Sequence, residues 1–348
     1  MKIQKFFLIL IMSEFNFGPL TSYIEDDNVT DINYNGHRLW IDDLKKGRYL
    51  IEDFEEEEFM KQFCFKIANY VNLSFNVGSP LIEAETKDLR ISILHDSIAR
   101  SGNSISIRKT PSLLRLNDKQ MVKDKYADKA LLDLLIRAVK SHFNIMVCGL
   151  PGVGKTELVK YLSSYIADYE RVITIEDTLE LRYHDIHPDK DCVAIKVKPS
   201  FSYVDAIKAS LRQRPDWILV SEVRSHEVVH LMESISTGTN IISTIHARDA
   251  SSIPKRILHM FPDVEIYNDV LLHTIHEAID LGVLVKSEIS MLGVKRYIAQ
   301  VVAFDSVGNE STTNILYEKG KKIDFIKALP ENLASRFLPN PSKRGKVA

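Results

Sequence analysis

An apolar stretch over residues 143–148 runs directly into Gly149-Leu150-Pro151-Gly152-Val153-Gly154-Lys155-Thr156, and Glu157 then opens a segment of helix-forming residues. A strand, a glycine-rich turn and a helix in that order leave few choices of fold. The glycines let the backbone curl until successive N–H groups point inward, and a helix beginning at Lys155 turns its positive end toward the same space. Such a cradle binds phosphate. In it Lys155 would reach the β- and γ-phosphates of a nucleotide and the Thr156 hydroxyl would hold Mg²⁺, so the spacing predicts a P-loop formed by residues 149–157 with ATP and Mg²⁺ as its cofactors.

Composition narrows the class around that motif. The chain has 348 residues, 45% of them hydrophobic, with a mean hydropathy of -0.10, enough apolar surface for two ordinary cores. Lys and Arg total 45 against 47 Asp and Glu, and this near balance gives no global attraction to nucleic acid. Cys64, Cys148 and Cys192 are too few and too far apart for a disulfide framework or a paired-cysteine zinc site, and they are expected to be reduced thiols in a cytoplasmic protein. The longest apolar run, residues 6–12, falls far short of the roughly 20 residues that span a bilayer. It follows Lys2 and Lys5 as a weak export signal would, but no small-residue cleavage site follows it. A peripheral helix, or a translation start at Met12, accounts for it equally well.

The chain divides by charge and periodicity. Residues 1–112 hold 13 basic and 17 acidic side chains, with a run at Glu55, Glu56, Glu57 and Glu58 expected to be a solvated helix face. Within 88–109, alternation over Leu89, Ile91, Ile93 and again over Ile105, Ile107 predicts paired strands about a Ser101-Gly102-Asn103 turn. This gives an N-terminal α+β domain over 1–112, a linker over 113–126 marked by mixed charge after Pro111, an ATPase domain over 127–330 and a flexible basic tail over 331–348. In the third segment, strands expected over 143–148, 172–175, 193–197, 217–220, 241–244, 281–285 and 296–302 alternate with helices over 130–139, 203–212, 226–236, 250–260 and 266–276. Strands separated by helices imply a mostly parallel sheet covered on both faces.

A phosphate cradle needs acidic partners, and carboxylates at the carboxyl ends of parallel strands face the same crevice. Glu176 and Asp177 follow one strand, and Glu222 ends another. Glu222 is cast as the base that positions water, with Asp177, Glu222 and Thr156 as candidate metal ligands. A carboxylate at a strand end can also simply cap the next helix or loop. His246 closes a third strand, where a histidine can act in catalysis or stand by as a hydrogen-bonded neighbour.

Taken in order, the P-loop, the box Ile175-Glu176-Asp177-Thr178-Leu179-Glu180-Leu181, Leu211-Arg212-Gln213-Arg214-Pro215-Asp216, Ser221-Glu222-Val223-Arg224 and Thr237-Gly238 with Ser243-Thr244-Ile245-His246-Ala247 resemble the secretion and pilus traffic ATPases over residues 90–260. The likeness implies a RecA-like ATPase domain behind a smaller N-terminal domain. Its length and lack of a tetracysteine insertion make it most similar to the hexameric motor ATPase of type IV secretion and conjugation, with the type IV pilus retraction motor as the alternative. Two positions depart from the family: Ser221 stands where glycine is usual, and Thr239 where histidine is usual after Thr-Gly.

The resemblance implies a homohexameric ring that hydrolyses ATP at the cytoplasmic face of the inner membrane, peripheral to it, and passes motion to inner-membrane components of a secretion apparatus. By the same likeness Asp177 and Glu176 order the metal's water shell, His246 senses the γ-phosphate, and Arg108 and Arg100 bring positive charge from the N-terminal domain. Rival readings are a nucleotide-gated docking platform that hydrolyses little, and a nucleic-acid translocase. Against the latter stands the lack of a basic, aromatic-rich stripe.

Overall fold

A computed structural model describes residues 9–10, 15–262, 268–290, 293–308 and 310–337. Most of the apolar run 6–12, the start of the helix expected at 266 and the tail beyond 337 lie outside the described residues. The described chain forms two compact units, one of residues 1–111 with 288–295, the other of 112–287 with 296–348.

In the first unit the strands are β1 (Ile9–Leu10), β2 (Val29–Tyr34), β3 (Leu39–Asp43), β4 (Gly47–Ile51), β5 (Leu81–Thr86), β6 (Leu89–Leu94) and β7 (Ser104–Lys109). Among the described residues they make one sheet in the order β1-β5-β6-β7-β2-β3-β4. The expected hairpin is present, with Leu89 opposite Lys109 and Leu94 opposite Ser104. A short helix α1 (Thr21–Glu25) precedes β2, and α2 (Glu57–Tyr70) buries Met60, Phe63, Cys64 and Ile67, a stripe of helical spacing, in this unit's core. Glu57 and Glu58 form the exposed first turn of α2, where the helix dipole favours negative charge. Residues 288–295, inside the segment expected for the ATPase domain, cluster with this unit, where the Val294 N–H donates to the Lys45 carbonyl at 2.9 Å.

The second unit is built on β8 (Ile145–Cys148), β9 (Val172–Glu176), β10 (Cys192–Lys196), β11 (Trp217–Val223), β12 (Asn240–Ile245), β13 (Leu281–Ser290), β14 (Gly293–Val307) and β15 (Glu310–Glu318), in the order β10-β9-β11-β12-β8-β13-β14-β15. The strands from β10 to β13 pair in parallel, and β14 and β15 pair antiparallel. Both faces of the parallel part are covered. Ile145, Val147, Trp217 and Leu219 join one apolar cluster while Met146, Cys148, Ile218 and Val220 join the other, which is why these strands read as continuous apolar runs.

The helices of this unit are α3 (Asp118–Lys123), α4 (Lys129–Lys140), α5 (Lys155–Ser163), α6 (Tyr183–Ile186), α7 (Tyr203–Leu211), α8 (Glu227–Ser236), α9 (Ile253–Leu258), α10 (Asn268–Ala278), α11 (Phe325–Ala328) and α12 (Glu331–Arg336). Residues from α4 and α5 line the first cluster, and residues from α7, α8 and α9 line the second. Two segments expected to lack structure are helical. Residues 113–126 contain α3, capped by the Asn117 side chain, which accepts from the Gln120 N–H at 3.0 Å. The tail begins with α12, whose Leu333 is buried.

The edge of the sheet opposite the carboxyl ends of these strands is pinned by a buried polar set. The Asn144 side chain accepts from the Ile241 N–H at 3.0 Å and donates to the Ala278 carbonyl at 2.8 Å. Asp280, 2% exposed, accepts from the Asn144 N–H at 2.6 Å and pairs with Arg336 of α12, whose guanidinium also donates to the His142 carbonyl. Burial raises the Asp280 carboxyl while Arg336 opposes that rise. Arg336→Ala would leave this buried carboxylate without its cation, so urea denaturation should show a loss of about 1–3 kcal/mol, reduced from the fully buried case by the partial exposure of Arg336. Unchanged stability would show that α12 is not docked through this pair.

Candidate functional site

Four neighbouring parallel strands each deliver one part of the site at their carboxyl ends. In sheet order, β9 ends at Glu176 with Asp177 next, β11 carries Glu222, β12 ends before His246, and β8 runs into Gly149. Their adjacency makes the parts converge, although they span almost 100 residues of sequence.

The loop after β8 depends on glycine. Gly149 has φ +151°, and a β-carbon there would lie 2.5 Å from the Val285 carbonyl oxygen and 2.9 Å from Val153 Cγ2. Gly152 and Gly154 have φ +77° and +92°, with Gly154 serving as N-cap of the nine-residue α5. Lys155 is only 8% exposed, and its Nζ donates to the carbonyls of Gly149 at 3.1 Å and Leu150 at 3.2 Å. Burial lowers its pKa, opposed by the Glu222 charge. Leu150 and Pro151 form the exposed tip, whereas Val153 anchors the loop in the core. Glu157 is directed along its own helix, pairing with Lys160 at 3.0 Å.

From Lys155 a chain of contacts crosses the site. His246 Nδ1 lies 3.3 Å from Lys155 Nζ, and His246 Nε2 is paired with Glu222 Oε1. The same Nδ1 also lies 3.3 Å from the Gly149 carbonyl, so this ring nitrogen sits between the lysine ammonium and the loop backbone. Glu222 Oε2 accepts from Arg224 Nε at 2.7 Å, and the same guanidinium reaches Asp177 Oδ2 at 3.1 Å. The strand helps to aim Glu222: β11 pairs Val220 with Ser243 but Val223 with Ile245, so an extra residue bulges at Ser221–Glu222.

The box after β9 splits into two roles. Asp177 joins Arg224 and also accepts from the Thr178 N–H at 2.8 Å. Glu176, 1% exposed, turns inward, and its Oε1 accepts from the N–H groups of Glu180 at 2.8 Å and Leu181 at 2.6 Å. Burial pushes its carboxyl up to about 7. Glu176 therefore braces the loop backbone, the alternative role that a strand-end carboxylate allows. The carboxylate beside the P-loop hydroxyl is Glu180 instead, which accepts from Thr156 Oγ1 at 3.1 Å. Glu180 and Arg224 both lie in the motifs quoted above, and polar side chains at fixed steps from Glu176 and Glu222 were the available signal. Arg108 belongs to the first unit, on β7, where it is ion-paired with Asp31 at 2.8 Å; Arg100 is exposed in the same unit between β6 and β7.

Among the described residues no three His, Cys, Asp or Glu side chains converge as a self-contained metal cage. The oxygen donors of Thr156 and Glu180, which meet at 3.1 Å, suit a hard cation such as Mg²⁺, which takes few protein ligands and completes its shell with water and phosphate. Chemically, the arrangement can hold a polyphosphate against backbone amides and a desolvated lysine, with a carboxylate a short distance away to orient water. The glycine geometry gives a contrast that denaturation can read. Gly149→Ala must displace backbone and should cost about 2–4 kcal/mol, whereas Gly152→Ala meets nothing within 4 Å and should cost only the left-handed conformation, about 1–2 kcal/mol. Equal losses would contradict the packing at Gly149.

Comparison with known proteins gives the site its context. Residues 80–284 match the family described as type II/IV secretion system protein. An uncharacterised Bacillus anthracis protein is 27% identical over 317 residues, covering 87% of this chain and 71% of that one. The type IV secretion system protein VirB11 of Bartonella quintana is 37% identical over 131 residues, 36% of each chain. The Legionella pneumophila ATPase DotB shares the fold, with a TM-score of 0.60 and 17% identity over 82% of this chain and 80% of its own. With more than half its length matched by the family, the chain belongs to the type II/IV secretion system proteins.

Proposed function

We propose that this protein is an ATP hydrolase that powers a type IV secretion apparatus as a subunit of a homohexameric ring. The observation that carries the proposal is the unbroken contact from Lys155 through His246 to Glu222, which joins a phosphate-binding cation to a water-positioning carboxylate across three adjacent strand ends. Family membership supports a role in secretion, and the likeness to VirB11 favours the type IV branch.

On ATP binding, the loop amides and Lys155 Nζ take the β- and γ-phosphate oxygens, the ammonium exchanging two carbonyl partners for charged ones. Thr156 and Glu180 would hold Mg²⁺, which would neutralise charge on the phosphate oxygens. Glu222 orients the attacking water and accepts its proton, and Arg224 bridges the Glu222 and Asp177 carboxylates. His246 senses the γ-phosphate because its Nδ1 shares the Lys155 ammonium that the phosphate would claim. Arg108 and Arg100 are assigned added positive charge during phosphoryl transfer. Among the described residues no helix is long and apolar enough to cross a membrane, and we assign the ring a peripheral place at the inner face of the cytoplasmic membrane beside inner-membrane components of the apparatus.

Glu222→Gln keeps shape and hydrogen bonding while removing the base. A motor should retain ATP binding and lose steady-state phosphate release by about 10²-fold or more. Negligible release by both the wild-type chain and the variant, with partner binding retained, would favour a nucleotide-gated platform. Release stimulated by DNA or RNA would favour a translocase.

A further inference from the structure

Ser221 stands directly before the candidate base Glu222, and the structure supplies its hydroxyl with a partner. Ser221 Oγ lies 3.3 Å from the Tyr203 hydroxyl, and that same hydroxyl accepts from the Asp177 N–H at 3.0 Å. Either hydroxyl can donate in the Tyr203–Ser221 contact, and the phenol also hydrogen-bonds the Asp177 carboxylate. Burial above all raises the Tyr203 pKa, so the phenol is a neutral donor at ordinary pH.

Each end of this link is anchored. Tyr203 is the first residue of α7, whose start is fixed by a capping box: Ser202 Oγ accepts from the Asp205 N–H, and the Asp205 carboxylate accepts from the Ser202 N–H at 3.0 Å. Its ring packs against the apolar cluster on that face of the sheet. Ser221 is buried in the bulge of β11, and its carbonyl accepts from Thr244 Oγ1 of β12 at 2.7 Å. The hydroxyl thus ties two segments just beyond the point where their strands last pair, Val220 with Ile175, and where the Arg224 bridge also joins them. One segment carries Asp177, the other carries Glu222.

We propose that Tyr203 and Ser221 form a positioning strut that sets the spacing between Asp177 and Glu222 during ATP hydrolysis. Neither residue touches the reacting atoms in this assignment, which rests on the function proposed above. The Ser221 hydroxyl then gives the bulge a fixed distance from the loop after β9. The Arg224 bridge alone is a poor spacer: its guanidinium is more than half exposed and free to follow either carboxylate. A phenol ring packed at a capped helix start is rigid by comparison.

The test uses the full chain with Tyr203→Phe, Ser221→Ala and the double variant, each followed by ATP turnover, ATP binding and thermal melting. Each single variant should lower kcat by about tenfold while KM and ATP affinity stay within about twofold, the split expected when only transition-state geometry is disturbed. The double variant should be no slower than either single one, because both remove the same link. Undiminished kcat in both single variants would overturn the strut, as would a hundredfold, multiplicative loss in the double variant. Equal losses of melting temperature and ATP affinity would make the hydroxyls structural supports only and overturn it also. Absence of turnover in the wild-type chain would instead defeat the assignment of the site as an ATPase.

Discussion

Lys155 and Glu222 carry opposite charges into the same half-buried space, where direct pairing would be strong and would leave neither group available to a nucleotide. The His246 ring stands between them, with Nδ1 3.3 Å from the ammonium and from the Gly149 carbonyl, and Nε2 paired with the carboxylate. It spends the lysine's charge on a weak partner, which a phosphate easily outcompetes. Lys155 holds two carbonyls of its own loop by the same logic, so the cradle keeps its curl through groups that a polyanion can displace.

This balance requires that the four strand ends stay in register, and most of the second unit serves that end. Burial of both faces locks β8, β9, β11 and β12 side by side, while Asn144 links β8 to the start of β12 and to the chain before β13. Because the opposite edge is so tied, local irregularity can be confined to the active end. The bulge at Ser221–Glu222, the left-handed glycines of the P-loop and the buried Glu176 all lie there. The strand bulge and the left-handed glycines lie where chemistry is assigned, while the buried Asn144–Asp280 set holds the opposite edge.

Much of this was legible in the residues themselves. Apolar runs of four to seven residues bounded by glycine or charge located the strands of the parallel sheet, and the octet ending in Lys155-Thr156 located the cradle, because these signals are local. The placement of Glu222 and His246 at strand ends followed from topology. What stayed hidden depends on which way a side chain turns. Nothing in the order Glu176-Asp177 says that the first faces inward to brace a loop while the second meets Arg224, or that Glu180 is the carboxylate beside Thr156. The Asp280–Arg336 pair joins positions 56 residues apart, and α3 and α12 are six-residue helices too short to show a clear period. The Asn117 cap and buried Met121 hold α3, and buried Leu333 with the Arg336–Asp280 pair holds α12.

The central claim is that the 149–156 loop binds the terminal phosphates of a nucleoside triphosphate. Calorimetric titration of the full chain with ATP and with AMP, each in excess Mg²⁺, tests it without relying on turnover. Lys155 and the loop amides are assigned to the β- and γ-phosphates, so ATP should bind at least about 100-fold more tightly than AMP, in line with several charge-assisted hydrogen bonds. Equal affinities, or no measurable binding of either nucleotide, would contradict the account.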